Sequence, residues 1–102
     1  MFIGRVRGNV VTTQKVVQMT GRKMLLVEPI CVNAAGDDWT ATGKTFVAVD
    51  AVGAGFDELV LVTQGSSARM TEGMNDAPVD AVVIGIIDSV HALNKRLYRK
   101  ES

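Results

Sequence analysis

A small β-barrel, mainly β with one short α-helix, is the fold this sequence predicts. Three observations lead there. Short valine-rich segments recur along the chain, and β-branched side chains suit a pleated surface. The 10 glycines and clusters of turn formers separate those segments, as tight turns and bulges require. Only one stretch, Gly65-Ser66-Ser67-Ala68-Arg69, opens like a helix. At 102 residues, with 47% hydrophobic and 22% charged side chains, the chain is one domain of ordinary soluble composition. Several strands and one helix at this length suit an OB-like barrel.

The elements follow in order. In the first strand Phe2, Gly4, Val6, Gly8 and Val10 share an apolar face, while Arg5, Arg7 and Asn9 share the other. The two glycines permit bending or a close backbone approach. Thr12 to Gly21 reads as a connection. The second strand, about Lys23 to Val32, is apolar nearly throughout, as for a strand covered on both sides. Pro29 cannot donate to a ladder and marks an edge or bulge. Asn33 to Gly43 is rich in turn formers and forms a hairpin tip or longer loop. Trp39 within it is either folded back on the barrel or exposed as a contact residue. Lys44 to Asp50 is the third strand and Leu59 to Thr63 the fourth, joined by a glycine turn. Ser66 or Ser67 then caps the short helix, which cannot pass Gly73, Asn75 and Pro78. Val79 to Val90 is a long fifth strand, and Arg96 to Tyr98 carries a last short one. Two near-continuous apolar strands offer more burial than one small barrel needs, which hints at oligomerisation.

Charge narrows the function. Lys+Arg and Asp+Glu are 11 each, so the chain is formally neutral, a poor basis for binding nucleic acid or anionic membrane. The distribution is uneven: every charged residue from Arg5 to Lys23 is basic, the acids lie mostly between Glu28 and Asp88, and Lys95, Arg96, Arg99 and Lys100 make the C-terminus basic. One subunit's ends could thus meet another's middle, although a solvated surface explains the pattern too. The organisation expected is one domain over 1–94 and a basic tail over 95–102. The lone Cys31 excludes an intrachain disulfide or a cysteine-cluster metal site and reads as a small buried hydrophobe. Its isolation fits a reducing, cytosolic compartment. The N-terminal MFIGRVRGNVV has basic residues inside its apolar stretch, unlike a signal peptide. The run from Ala81 to Ile87 is too short to span a membrane.

No set of residues assembles into an active site. Gly53-Ala54-Gly55 begins like a dinucleotide fingerprint, but no helix follows and a third glycine is missing. It reads as a turn with φ > 0 at one glycine. Asp57 and Glu58 would point to opposite faces if extended, so they form a solvated turn rather than an acid–base pair. His91, the only histidine, lacks the context of a hydrolase triad and reads as a surface or interface residue. Arg69 suits either a bound anion or a carboxylate of the same or a neighbouring subunit, and the match of its fork to carboxylate geometry favours the second. The expectation is therefore no catalytic residue, no cofactor and no metal.

Taken together, the segments resemble a known family. Val6-Arg7-Gly8-Asn9-Val10-Val11-Thr12-Thr13-Gln14-Lys15 looks like its first strand and Lys23-Met24-Leu25-Leu26-Val27-Glu28 its second. Ala48-Val49-Asp50-Ala51-Val52-Gly53-Ala54-Gly55, then Glu58-Leu59-Val60-Leu61, looks like its central signature. Gly65 to Arg69 and Pro78 to Asp88 complete the match. This is the EutN/CcmL family of bacterial microcompartment vertex proteins, and the similarity covers nearly the whole chain in order. Two departures are local: Cys31 to Thr45 looks longer than in shorter members, and Ala51 stands where asparagine is common.

The resemblance implies an OB-like barrel with a short helix, assembled as a cyclic pentamer. Such pentamers cap the five-fold vertices of a shell whose facets are hexameric shell proteins, and they are not enzymes. It implies a place in a microcompartment shell in the cytoplasm, without nucleic acid or membrane as partner. Carrying the signature over puts Val52, Gly53, Ala54 and Gly55 at the five-fold axis or pore. Arg69, Ser66 and Ser67 are candidates for the subunit interface. The Gly65 to Arg69 stretch looks closer to catabolic members than to carboxysomal ones. The alternative weighed from the residues is an OB-type single-stranded nucleic-acid-binding module. It needs a basic groove with aromatics, which 5% aromatic residues and zero net charge supply poorly.

Overall fold

Alternation along the first strand sets the inside of the barrel. In the computed structural model, which describes residues 1–13, 16–32, 39–71, 80–92 and 95–100, β1 spans Phe2–Val10. Gly4 and Val6 are buried on one face while Arg7 and Asn9 are exposed on the other. Gly4 meets the expectation of close approach: an added Cβ would overlap the Val27 side chain and lie 3.2 Å from the Glu28 carbonyl oxygen. Gly8 does not, since its nearest neighbour, Leu26 Cδ1, would be at an ordinary 3.8 Å.

β2 (Met24–Val32) pairs antiparallel with β1, and the register slips between Val6 and Gly8, which leaves Arg7 as the bulged residue. β3 (Trp39–Ala41) extends β2 as a short hairpin partner. β4 (Phe46–Asp50) pairs with β2, β5 (Leu59–Gln64) with β1, and β6 (Ala81–Ile86) with β5. A parallel pairing of β4 with β6 closes the ring. The barrel therefore has five strands in the closed order β1-β2-β4-β6-β5-β1, with β3 outside it.

Pro29 sits where β2 changes neighbours. β4 pairs with residues 24–27 and β3 with residues 30–32. The missing N–H thus falls in a gap in the ladder, as a proline in a strand requires.

Val6, Leu25, Val27, Ala48, Val60, Val62 and Val83 fill the barrel interior. A second layer forms outside, where Ala68 packs with Val49 and Val82, and Met19, Met24 and Ile84 close around them. Two 3-10 helices, Val17–Met19 and Gly65–Met70, supply Met19 and Ala68.

Several expectations are corrected. No α-helix occurs among the described residues; Gly65–Met70 is a 3-10 turn. Its N-cap is Gln64, without a side-chain cap. Gly65, at φ +65°, starts the turn straight from β5, which puts Ser66 and Ser67 inside the first turn instead of before it. Short uncapped turns favour this tighter geometry. The long fifth strand is broken: β6 ends at Ile86, and Ser89–Ala92 is a separate strand, β7. β7 pairs only with β8 (Lys95–Arg99), so the chain leaves the barrel at Ile87-Asp88. β2 is covered unequally on its two sides: Leu25 and Val27 are buried in the barrel, while Met24 and Leu26 on the other face are half-buried, Met24 against the outer layer. Cys31 is exposed, because it lies past the end of β4 with only Thr40 of β3 opposite it.

Candidate functional site

The turn between β4 and β5 is held from both ends. Asp50 ends β4, and its Oδ1 accepts hydrogen bonds from the amides of Val52 and Gly53, each 3.0 Å. Its Oδ2 is buried without a hydrogen-bond donor, and Lys23 Nζ lies 3.8 Å away. Lys23 also donates to the Ala54 carbonyl at 3.1 Å. Gly53 turns at φ +78°, as the sequence predicts for one glycine here. The Gly55 amide donates to Glu58 Oε1 at 2.5 Å. Val52 is exposed, Ala54 fully buried and part of the core. Four residues singled out together thus divide: Ala54 anchors the turn, while Val52 and Gly53 face outward.

Asp57 and Glu58 are not a free solvated pair. Asp57 is the one described non-glycine residue with positive φ, at 66°. Its amide donates to the Val6 carbonyl at 2.9 Å, its carbonyl accepts from Arg5 at 2.9 Å, and its carboxylate lies 3.5 Å from Arg7. Arg7 also reaches Glu28 at 2.9 Å, whose second oxygen accepts from the Gly43 amide at 3.0 Å. The basic face of β1 therefore ties two loops to the barrel. Glu58 binds Lys100 Nζ at 2.6 Å. The Lys100 hydrogen bond, then that of the Gly55 amide, holds the Glu58 carboxyl below the usual carboxylate range, and the same partner raises Lys100 above the usual lysine range. Sequence reasoning missed this latch, because its partners lie 42 residues apart and no local pattern joins them.

Trp39 is half-buried and packs on Tyr98 of β8, ring centroids 5.7 Å apart. It is thus neither folded back on the barrel nor left exposed, as the two expectations had it, but packed against the separate β7–β8 pair. His91 is exposed on β7. Ser66, Ser67 and Arg69 lie on the second 3-10 helix, with their side chains outside the described set. Residues 33–38 of the expected loop and residues 72–79 also lie outside the described residues.

Large apolar side chains remain uncovered on the single chain. Phe56 is 73% exposed, Met70 85% and Val17 78%, and Phe46 and Val47 stand half-open on β4. Beside the turn, Val6, Leu25, Ala54, Phe56, Asn9 and Lys23 line a groove of about 290 Å³. This is a surface suited to protein contact: apolar and concave, with charge at its margin.

Comparison with known proteins gives that surface a context. A family model described as ethanolamine utilisation protein EutN/carboxysome matches residues 1–88. The carboxysome shell vertex protein CcmL of Gloeobacter violaceus is 50% identical over 101 residues, 99% of this chain and 96% of that one. Its solved structure superposes with a TM-score of 0.86 over 98% of both chains. The bacterial microcompartment shell vertex protein PduN of Salmonella typhimurium is 47% identical over 92 residues, 88% of this chain and 98% of that one. The structure of GrpN, a pentameric microcompartment shell protein from Rhodospirillum rubrum, is 39% identical, with a TM-score of 0.76 over 92% of this chain and all of that one. Identities of 50% and 47% do not separate carboxysomal from other members, so they lend no support to the catabolic likeness read from Gly65 to Arg69. These relatives are structural proteins of shells, not enzymes. The chain belongs to the EutN/CcmL family of microcompartment shell vertex proteins.

Proposed function

We propose that five copies of this chain form a closed ring that caps a five-fold vertex of a microcompartment shell. The observation that carries this reading is the 50% identity to a shell vertex protein over 99% of the chain, on a barrel that leaves Phe56, Met70 and Val17 uncovered. A ring needs one patch to meet a different patch on the next copy, and apolar side chains left open on one protomer provide the burial. In this reading the OB-like barrel, whose last strand ends at Ile86, is the core of the vertex unit expected over residues 1–94, and the basic residues 95–102 extend it as the second half of the β7–β8 hairpin. The turn of Val52, Gly53, Ala54 and Gly55 sits at the five-fold axis, with Val52 and Gly53 toward it and Ala54 buried behind them, and Asp50 and Lys23 keep the five turns in one shape. The 3-10 turn that carries Ser66, Ser67 and Arg69 belongs to the contact with the adjacent copy. Hexameric shell proteins surround the ring.

Co-expression with facet-forming hexamers tests the role. With this chain present, purified shells are closed and contain it in the small ratio that vertices demand. Shells that close equally well without it would overturn the reading.

A further inference from the structure

We propose that the β7–β8 hairpin is an arm that docks on the neighbouring copy in the ring, its cationic face pairing with carboxylates there. The inference rests on the pentamer reading above and adds which part of the chain reaches across.

The hairpin stands apart from the barrel. Its two strands form a separate sheet, and no barrel strand packs substantially against either. Two-stranded hairpins are marginal in water without further cover. On its own chain this one has the Trp39–Tyr98 contact on one face and the Lys100–Glu58 ion pair at its base.

The other face is built for charge. Val90 pairs with Tyr98 but His91 pairs with Arg96, so Leu97 is a bulged residue. A bulge re-aims the side chains that follow it. Here it brings Arg96 onto the same face as Arg99, beside Ser89 and His91. These residues line one open hollow of about 440 Å³ together with Asp88 and Lys100. Every lining residue comes from the hairpin and its two flanks, so the protomer's own barrel does not close it. Lys100 is engaged with Glu58. Arg96 and Arg99 are exposed, and no ion pair to either occurs among the described residues.

Charge complementarity selects a second copy as the occupant. Residues 95–102 hold four basic side chains and one acidic, a net +3, which leaves −3 on residues 1–94 of a neutral chain. The body of one copy is thus the electrostatic complement of another's arm, and complementary patches set register in heterologous contacts. Both aromatic rings lie on the opposite face, so the arginines lack the stacking platform that single-stranded nucleic acid needs.

The test compares the wild-type chain with the Arg96→Glu/Arg99→Glu and Arg96→Lys/Arg99→Lys doubles by sedimentation at low and high salt. Circular dichroism monitors the fold. The proposal expects a wild-type pentamer and a Glu double whose pentamer dissociates at a protein concentration at least about tenfold higher. The Lys double should stay near wild type, and the difference should shrink at high salt. A wild-type pentamer matched by an equally stable Glu double would overturn the arm while leaving the pentamer. That includes a double that pentamerises normally but fails to join shells, since the arm would then serve a different partner. A wild-type chain that is not pentameric would overturn both.

Discussion

The barrel and the hairpin are both β-structure, yet they are stabilised by different means. The barrel has a sealed interior: Val27, Val60, Val62 and Val83 are fully buried, and five strands leave no free edge within the ring. The hairpin is tied to the rest of the chain by the Trp39–Tyr98 contact and the Lys100–Glu58 ion pair, and among the described residues no barrel strand packs closely on it. The family match ends at residue 88, where the barrel ends and the hairpin begins. The difference teaches that closure stores stability inside the ring of strands, whereas a projecting hairpin depends on what covers it.

That contrast can be broken from the barrel side first. Leu59→Ala removes a fully buried side chain and should cost about 2–5 kcal/mol, read as a lower urea midpoint for the whole chain. A loss confined to the hairpin would show that the barrel is not the cooperative unit. Gly4→Ala forces a Cβ against Val27 and should cost about 1–3 kcal/mol by overpacking. Gly8→Ala, whose Cβ would meet only Leu26 at an ordinary 3.8 Å, should be mild by comparison. Equal effects of the two would deny Gly4 its close-approach role.

Changes at the hairpin should be smaller and local. Trp39→Ala removes the ring packed on Tyr98, and aromatic pairs contribute about 0.5–1.5 kcal/mol beyond area burial. Amide exchange should quicken in residues 89–99 with little change in β1 or β5. Acid should act at the latch. The folded Glu58 carboxyl lies below its usual range, so its stabilisation is full above the ordinary carboxylate pKa. It is lost as pH falls through the lowered folded value. The raised Lys100 works in the opposite sense, its share being lost only as pH rises past the ordinary lysine range. Emission of Trp39, the only tryptophan, should therefore change in acid before the barrel unfolds. Glu58→Gln should abolish that separate step, and an unaltered acid transition would remove the latch from the account.

Legibility in the sequence follows the same division. Period-two alternation marks β1 because one face meets the interior, and the Gly53 turn is visible because positive φ selects glycine. The break between β6 and β7 was hidden. Ala81 to Val90 is apolar on both sides of Ile87-Asp88, and strand partners, not composition, decide where it leaves the barrel. Cys31 misled for a similar reason: its neighbours are apolar, but β2 outlasts β4. The 3-10 turn differs from an α-helix by one hydrogen-bond step, too little for six residues to encode. Of the candidate assembly surface, the turn was legible. The Trp39–Tyr98 contact and the Lys100–Glu58 latch were not, since they join residues distant in sequence.

The most direct test of the account is the native mass of the purified chain. The ring reading predicts one species at five times 10.9 kDa, stable on dilution, since interlocking contacts close only at a full turn. A monomer at all concentrations, or an open ladder of sizes without a maximum at five, would contradict it.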